Sequence, residues 1–196
     1  VANLIGQDGI SIRTQRVQKT LPLSAERDGF ACLKTAPCLK MAVFNRYGRD
    51  QHGIGLLTGM DGVTGAAALT YGHDCHNLTV YGGNDADMAL AANTLRDAQG
   101  GLCTAENGKV LTLIPLPLAG LMCDQSPEAL LAQMEQFLAD CRRMGFTHKN
   151  LLTFFTLMPL AVSPELKCTD RGLVDALHKR LLPLIEEIKE ISSDGT

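Results

Sequence analysis

VTGAAALTYGHDCHNLTVYGGNDADMALAANTLRDA, residues 63–98, encodes a strand, a polar loop, a second strand and a capped helix in one run. Val63–Tyr71 and Leu78–Tyr81 are apolar and rich in β-branched or aromatic residues toward their ends, which predicts two strands. Between them lies Gly72-His-Asp-Cys-His-Asn77, a cluster of polar, titratable side chains. Gly82-Gly83 turns the chain, and Asn84 is placed to cap a helix running from Ala86 to Ala98. Asp85 and Asp87 suit the positive end of that helix, while Met88, Ala91, Ala92 and Leu95 recur at the spacing of a buried face. Gly100-Gly101 ends it.

Working outward, Leu39–Tyr47 alternates apolar and polar residues and predicts a half-buried strand. Gly48–Gly65 is glycine-rich with few hydrophobic anchors and reads as a surface loop, either a plain excursion or a functional one. Leu102–Ala105 and Lys109–Ile114 flank Asn107-Gly108, a strong hairpin signal that Pro115 and Pro117 bring to an end. Ser126 followed by Pro127 opens a second helix, whose apolar face is Leu130, Met134, Phe137, Leu138 and Cys141, with Gly145 closing it. Leu151–Val162 is expected to be a buried strand interrupted by Pro159. Turns are expected at Ser163-Pro164 and Asp170–Gly172. The spacing of Leu177, Leu181, Leu184, Ile185 and Ile188 predicts a helix over Leu173–Ile191, divided at Pro183. Near the start, Gly9–Thr14 alternates like a strand. The pattern is α+β, a mixed β-sheet packed against helices in a single domain over residues 39–191. Residues 1–38 are expected to form a lead-in of strand and loop, continuing from a preceding domain if one is present, and 192–196 a tail.

Composition narrows the function classes. Of 196 residues, 45% are hydrophobic and 20% charged, which suits one globular core. Aromatics are 5%, Trp is absent, and the net charge of -3 comes with no basic stripe, so a nucleic-acid partner is not expected. No apolar run is long enough to span a bilayer, so no membrane partner is expected either. The seven cysteines contain no C-x-x-C pair, which argues against a disulfide framework or a zinc knuckle and for a reducing cytoplasm.

The cluster at 73–77 has two readings. His73 and His76 would fall on opposite faces of a regular strand, so they share a ligand only if the chain loops or bulges there. Otherwise these side chains organise a tight connection by bonding to neighbouring backbone. A Cys75 nucleophile activated by an adjacent histidine is the sharper alternative, disfavoured because adjacent side chains diverge in extended chain. Asn84 and Asp85, at a helix N-terminus, are candidates for orienting a polar substrate, with plain capping as the competing role.

Several segments together resemble the C-terminal domain of adenine deaminase, in the amidohydrolase superfamily. They are Gly65–Asn77, then Val80–Met88, Gly100-Gly101, Pro115–Asp124 and Pro159–Asp175, in register across residues 39–175. Cys75 and Cys123 stand where serine is expected, and Arg46-Tyr47 where a basic residue and a histidine are expected. The resemblance implies hydrolysis of adenine to hypoxanthine and ammonia, as part of purine salvage and adenine catabolism. It also implies manganese or iron in a (β/α)8 barrel that precedes this domain, and a homo-oligomer. This chain has no His-x-His and is too short for such a barrel, so no metal or cofactor is expected here and the isolated chain is expected to be inactive. His73, Asp74, His76 and Asn77 are then candidates for a lid beside bound adenine, with Gly48–Gly65 nearby. The competing reading is a stand-alone, non-catalytic module for purine binding or oligomerisation.

Overall fold

The computed structural model describes residues 1–9, 13–21, 25–27, 30–32 and 38–187, with 25–27 and 30–32 by backbone alone. Its elements are β1 (Ala2–Gly6), β2 (Gln15–Lys19), β3 (Ala25–Arg27), β4 (Phe30–Cys32), β5 (Leu39–Phe44), β6 (His52–Leu57), β7 (Ala66–Leu69) and β8 (Leu78–Gly82). They continue with α1 (Asp85–Asp97), β9 (Gly101–Glu106), β10 (Lys109–Pro115), α2 (Pro127–Arg143), α3 (Leu151–Leu157), β11 (Leu166–Thr169), β12 (Gly172–Asp175) and β13 (Arg180–Leu182). Eight strands form one sheet in the order β10-β9-β7-β8-β5-β6-β1-β2, antiparallel except where β1 runs parallel to β6. A smaller sheet, β11-β12-β13, packs on β6. The architecture is α+β with a mixed sheet, as the sequence predicts. Among the described residues no helix is long and apolar enough to cross a membrane.

All four residues of β7 are buried, because the centre of the sheet is covered on both faces. Ala66 and Ala68 join Val80, Cys103 and Ala105 beneath Ala91 and Leu95 of α1. Ala67 and Leu69 face the larger core, which contains Phe137 and Cys141 of α2 and Phe154 and Phe155 of α3. Alternation of faces along a strand produces this division. Alanine on the α1 side lets the helix lie close, and Gly82 extends that contact: a Cβ there would sit 2.5 Å from Met88.

Both helix starts follow the sequence. Asn84 accepts from the Asp87 amide and Ser126 from the Ala129 amide, with Pro127 in the first turn. The hairpin also follows, with Asn107 and Gly108 both at positive φ. Asp87 has a second use that sequence spacing does not reveal. Its buried carboxylate accepts from the Asn107 amide (3.0 Å), the Gly108 amide (2.8 Å) and the Asn84 side chain (2.8 Å), fastening the β9–β10 turn to α1. Burial opposes ionisation of Asp87, and these donors overcome it, holding the carboxyl below its usual range.

Three expectations are corrected. Gly48–Gly65 is not one long loop, since it contains β6, paired with β5 from Leu39–Leu57 to Phe44–His52. Its glycines serve close packing: a Cβ on Gly53 would lie 2.0 Å from the Thr169 carbonyl oxygen, and one on Gly55 3.1 Å from Cys168. Leu151–Val162 holds a helix, not a strand. Leu151, Phe154, Phe155 and Met158 are buried at helical spacing, and the Asn150 side chain accepts from the Thr153 amide. Leu173–Ile191 is not helical over its described part. Leu173 pairs with Leu182 and Val174 with Leu181 across a turn in which Asp175 accepts from the His178 amide. Beyond it, Asn3 donates its amide to the Leu184 carbonyl (2.8 Å) and Ala2 bridges to Ile185, so this segment runs beside β1. Ile188 and residues 10–12 of the early strand lie outside the described residues, while β1 and β2 fall where no periodic signal marks a strand.

The α3 end is satisfied from the sheet. The last carbonyls of a helix lack intrahelical donors. The Tyr81 hydroxyl donates to the Phe155 carbonyl at 2.8 Å, and the His73 amide donates to the Thr156 carbonyl at 3.0 Å. Tyr81 is fully buried, which drives its phenol well above the usual value, and its ring packs on Phe155 with centroids 4.9 Å apart.

Two outcomes follow for stability. Tyr81→Phe should cost about 1–2 kcal/mol in denaturant unfolding, because the Phe155 carbonyl is left unsatisfied in the core. Asp87→Asn should cost about 1.5–3 kcal/mol, since one amide oxygen replaces a two-oxygen acceptor of three donors. Because the folded-state carboxyl of Asp87 lies below its unfolded value, its contribution is present above about pH 4 and is lost as pH falls through the folded value. Unfolding measured from pH 7 to pH 2 should show a shallower acid limb in Asp87→Asn than in the parent.

Candidate functional site

Strand directions gather the polar loops at one end of the large sheet. β5 and β7 both run antiparallel to β8, and β10 returns from β9, so β5, β7 and β10 finish where β6 and β8 begin. Asn45–Tyr47, Gly72–Asn77 and Leu118–Met122 therefore meet at this end. The β11–β12 turn joins them through Asn45, whose side chain donates to Asp170 at 2.7 Å.

Arg46 is the tie between these loops. Its Nε donates to the His76 carbonyl and its Nη2 to the Ala119 carbonyl. Among the described residues no carboxylate pairs with it, and its Cζ lies 5.3 Å from the Tyr47 ring centroid. Gly120, at φ +72°, passes directly beside the guanidinium: a Cβ there would be 2.5 Å from Nη1. The Thr70 hydroxyl donates to the Gly120 carbonyl (2.7 Å) and accepts from the Gly101 amide (2.8 Å), tying the same loop to the end of β7.

The 73–77 loop is a tight turn, held by His76 N–H to the Gly72 carbonyl at 2.9 Å. His76 takes positive φ (49°), which lifts the chain out of strand geometry and separates the two histidines' roles. His73 and Asp74 project outward with side chains 63% and 73% exposed, and His73 Nδ1 lies 3.2 Å from the Asp74 carboxylate. His76 turns inward with its ring near Tyr71, and Asn77 is buried. Among the described residues, His76 Nδ1, Asn77 Oδ1 and Thr79 Oγ1 are buried with no hydrogen-bond partner, a concentration of unsatisfied polar atoms under this loop. Such atoms are costly where nothing meets them.

The loop does not make a metal centre. Among the described residues no group of three or more His, Cys, Asp or Glu side chains could hold an ion. Manganese or iron therefore does not fit the residues of this site. The Cys75 thiol is pushed up by burial, with the Asp170 and Asp74 charges adding to the rise against the Asn77 amide, the opposite of an activated nucleophile. None of the six cysteines with described side chains forms a disulfide.

Asn84 and Asp85 lie at the opposite end of β8. The Asn84 side chain accepts from the Asp87 amide and donates to the Thr64 carbonyl (2.8 Å) and to Asp87 (2.8 Å), while Asp85 pairs with Lys40 at 2.7 Å. The structure thus brings His73, Asp74, His76 and Asn77 together and leaves these two apart. Arg46, Thr70 and the Asn45–Asp170 pair are absent from the sequence-based candidates. Asn45-Arg46, polar residues at the end of the strand predicted over Leu39–Tyr47, were the available signal for two of them.

Comparison with known proteins agrees with the resemblance. The family profile described as the adenine deaminase C-terminal domain matches residues 11–180. An adenine deaminase of Clostridium botulinum (Loch Maree) is 39% identical over 182 residues, covering 91% of this chain and 30% of that protein. One from Moorella thermoacetica is 41% identical over 151 residues, covering 76% of this chain and 25% of that protein. One from a Methylobacterium strain is 40% identical over 173 residues, covering 88% and 30%. The chain spans at most 30% of the length of these three relatives. With the profile matching most of its length, the chain belongs to the adenine deaminase C-terminal domain family.

Proposed function

We propose that this chain is the C-terminal domain of an adenine deaminase-like hydrolase, and that its loop-bearing sheet end closes over a purine held in a preceding barrel. The reaction is adenine and water to hypoxanthine and ammonia, with the manganese or iron and the bond-breaking chemistry belonging to the preceding domain. The carrying observation is the convergence of the 45–47, 72–77 and 118–122 loops on one sheet end. A second observation bears on the orientation: β1 runs parallel to β6 with Ile5 opposite Leu57, so Val1 lies toward the end of the sheet where β6 begins.

The loop divides its work on this reading. His73 and Asp74 reach outward to hydrogen-bond the base and displace water from it. Arg46 keeps the loop's backbone in place through the His76 carbonyl, and the His73 amide is fixed to α3.

In the full-length enzyme, His73→Ala should lower turnover on adenine about tenfold, as loss of one substrate-positioning contact does. Its melting temperature should stay near that of the parent, because the side chain is exposed. Unchanged kinetics for both His73→Ala and His76→Ala would remove the lid role. The purified chain on its own should release no ammonia from adenine, with or without added manganese. Metal-dependent release would move the chemistry into this domain.

A further inference from the structure

We infer that a cleft beside α1 binds a nucleoside monophosphate. α1 covers β7, β8 and β9 and meets β5 at its own start through the Asp85–Lys40 pair; toward its C-terminal half a cavity of about 630 Å³ lies between the helix and the ends of β5 and β8. That volume lies within the range of pockets that enclose a small organic ligand. One wall is apolar, with Phe44 and Leu78 from the sheet and Ala89 and Ala92 from the helix. Phe44 is exposed and stacks on His52 with centroids 6.0 Å apart and planes at 27°. The small side chains of Ala89 and Ala92 leave room opposite it for a planar ring.

The other end of the cleft is cationic. Arg46 and Arg96 both line it, with the Asn93 and Gln99 amides between helix and solvent. Arg46 is held by two carbonyl groups, which consume hydrogen-bond donors without neutralising its charge. A guanidinium carries five N–H groups, so three remain for an anion. Immobilised in this way, Arg46 loses little further freedom when it binds one. Arg96 is exposed and, among the described residues, pairs with its neighbour Asp97 at 2.9 Å, a surface pair of small energy that an incoming phosphate can outcompete. The C-terminal end of α1 places about half a negative charge nearby, which the two arginines outweigh.

Distance supports the pairing of base and phosphate ends. Ala89 and Arg96 are seven residues apart on α1. They are thus separated by about 10 Å along the helix axis, comparable with the span from a base to a 5′-phosphate. Gly100 forms part of the lining and lies against Gly120, where a Cβ would meet the Gly120 Cα at 2.5 Å. A phosphate on Arg46 therefore also touches the group that holds the His76 carbonyl, so occupancy of the cleft bears on the position of the 73–77 loop. This site does not require the lid role, and loss of His73 function leaves it untouched.

Calorimetric titration of the intact protein with adenosine monophosphate, adenosine and inorganic phosphate tests the assignment. Adenosine monophosphate should bind, and more tightly than either adenosine or phosphate alone. Arg96→Glu, an exposed change, should weaken the nucleotide by about tenfold or more while leaving adenosine unaltered. Ala92→Phe, which fills the apolar end, should weaken both. Circular dichroism melts identify any variant that fails to fold, in which case Arg96→Gln and Ala89→Leu provide the same readings. Absence of nucleotide binding, or nucleotide binding indifferent to changes at both ends of the cleft, would overturn the site. Phosphate binding as tightly as the nucleotide would overturn the ring pocket.

Discussion

A short helix whose C-terminal end is buried must have its carbonyls met by donors from elsewhere, and α3 is such a helix. The Tyr81 hydroxyl from β8 and the His73 amide from the β7–β8 loop satisfy two consecutive carbonyls, those of Phe155 and Thr156. These bonds join three things: the aromatic core, the central strands and the polar loop. Tyr81 packs between Phe154 and Phe155, and Phe155 in turn meets Phe137 of α2 and Phe146 edge-on. An enclosed aromatic network of this kind tolerates little displacement, because close packing transmits strain. The 73–77 loop is therefore anchored through its own backbone, which leaves the side chains of His73 and Asp74 free to face outward.

The parts of the fold legible in sequence are those whose signals are local. Asn84 and Ser126 cap helices as their residue types predict, and Asn107-Gly108 makes its turn because both positions accept positive φ. What was illegible depends on partners distant in sequence. Gly53 and Gly55 look like loop residues until β11 and β12 are placed against them, and only then is the missing Cβ seen to be a packing requirement. The β-branched and aromatic content of 151–157 favours a strand, yet the 151, 154, 155, 158 spacing and the Asn150 cap favour a helix, and burial of that face decided it. In 173–182 the decision went the other way. Leu177 and Leu181 have the spacing of a helical stripe but are exposed, and hairpin pairing with an aspartate-held turn took the segment instead.

The candidate site divides along the same line. The loop 72–77 stands out in sequence because its polar residues interrupt two apolar segments. Its orientation was not readable, since it depends on His76 adopting positive φ and on Arg46, thirty residues earlier, holding the His76 carbonyl. Asn84 and Asp85 carry an equally polar signal, but the end of a strand separates them from the loop cluster, and the capping and Lys40 contacts occupy their polar groups.

Arg46 shows why charge accounting matters beyond ion pairs. A buried or half-buried guanidinium is ordinarily met by a carboxylate, and the pair then contributes no net field to its surroundings. Here two carbonyl dipoles hold the group while its full charge persists, and the glycine at position 120 permits the close approach that this needs. The positive potential is thereby fixed in place at the junction of three loops and at one end of the α1 cleft. A carboxylate in place of either carbonyl would hold Arg46 just as firmly and would cancel the field. The choice of carbonyl anchors is what makes this arginine available to an anion as well as structural.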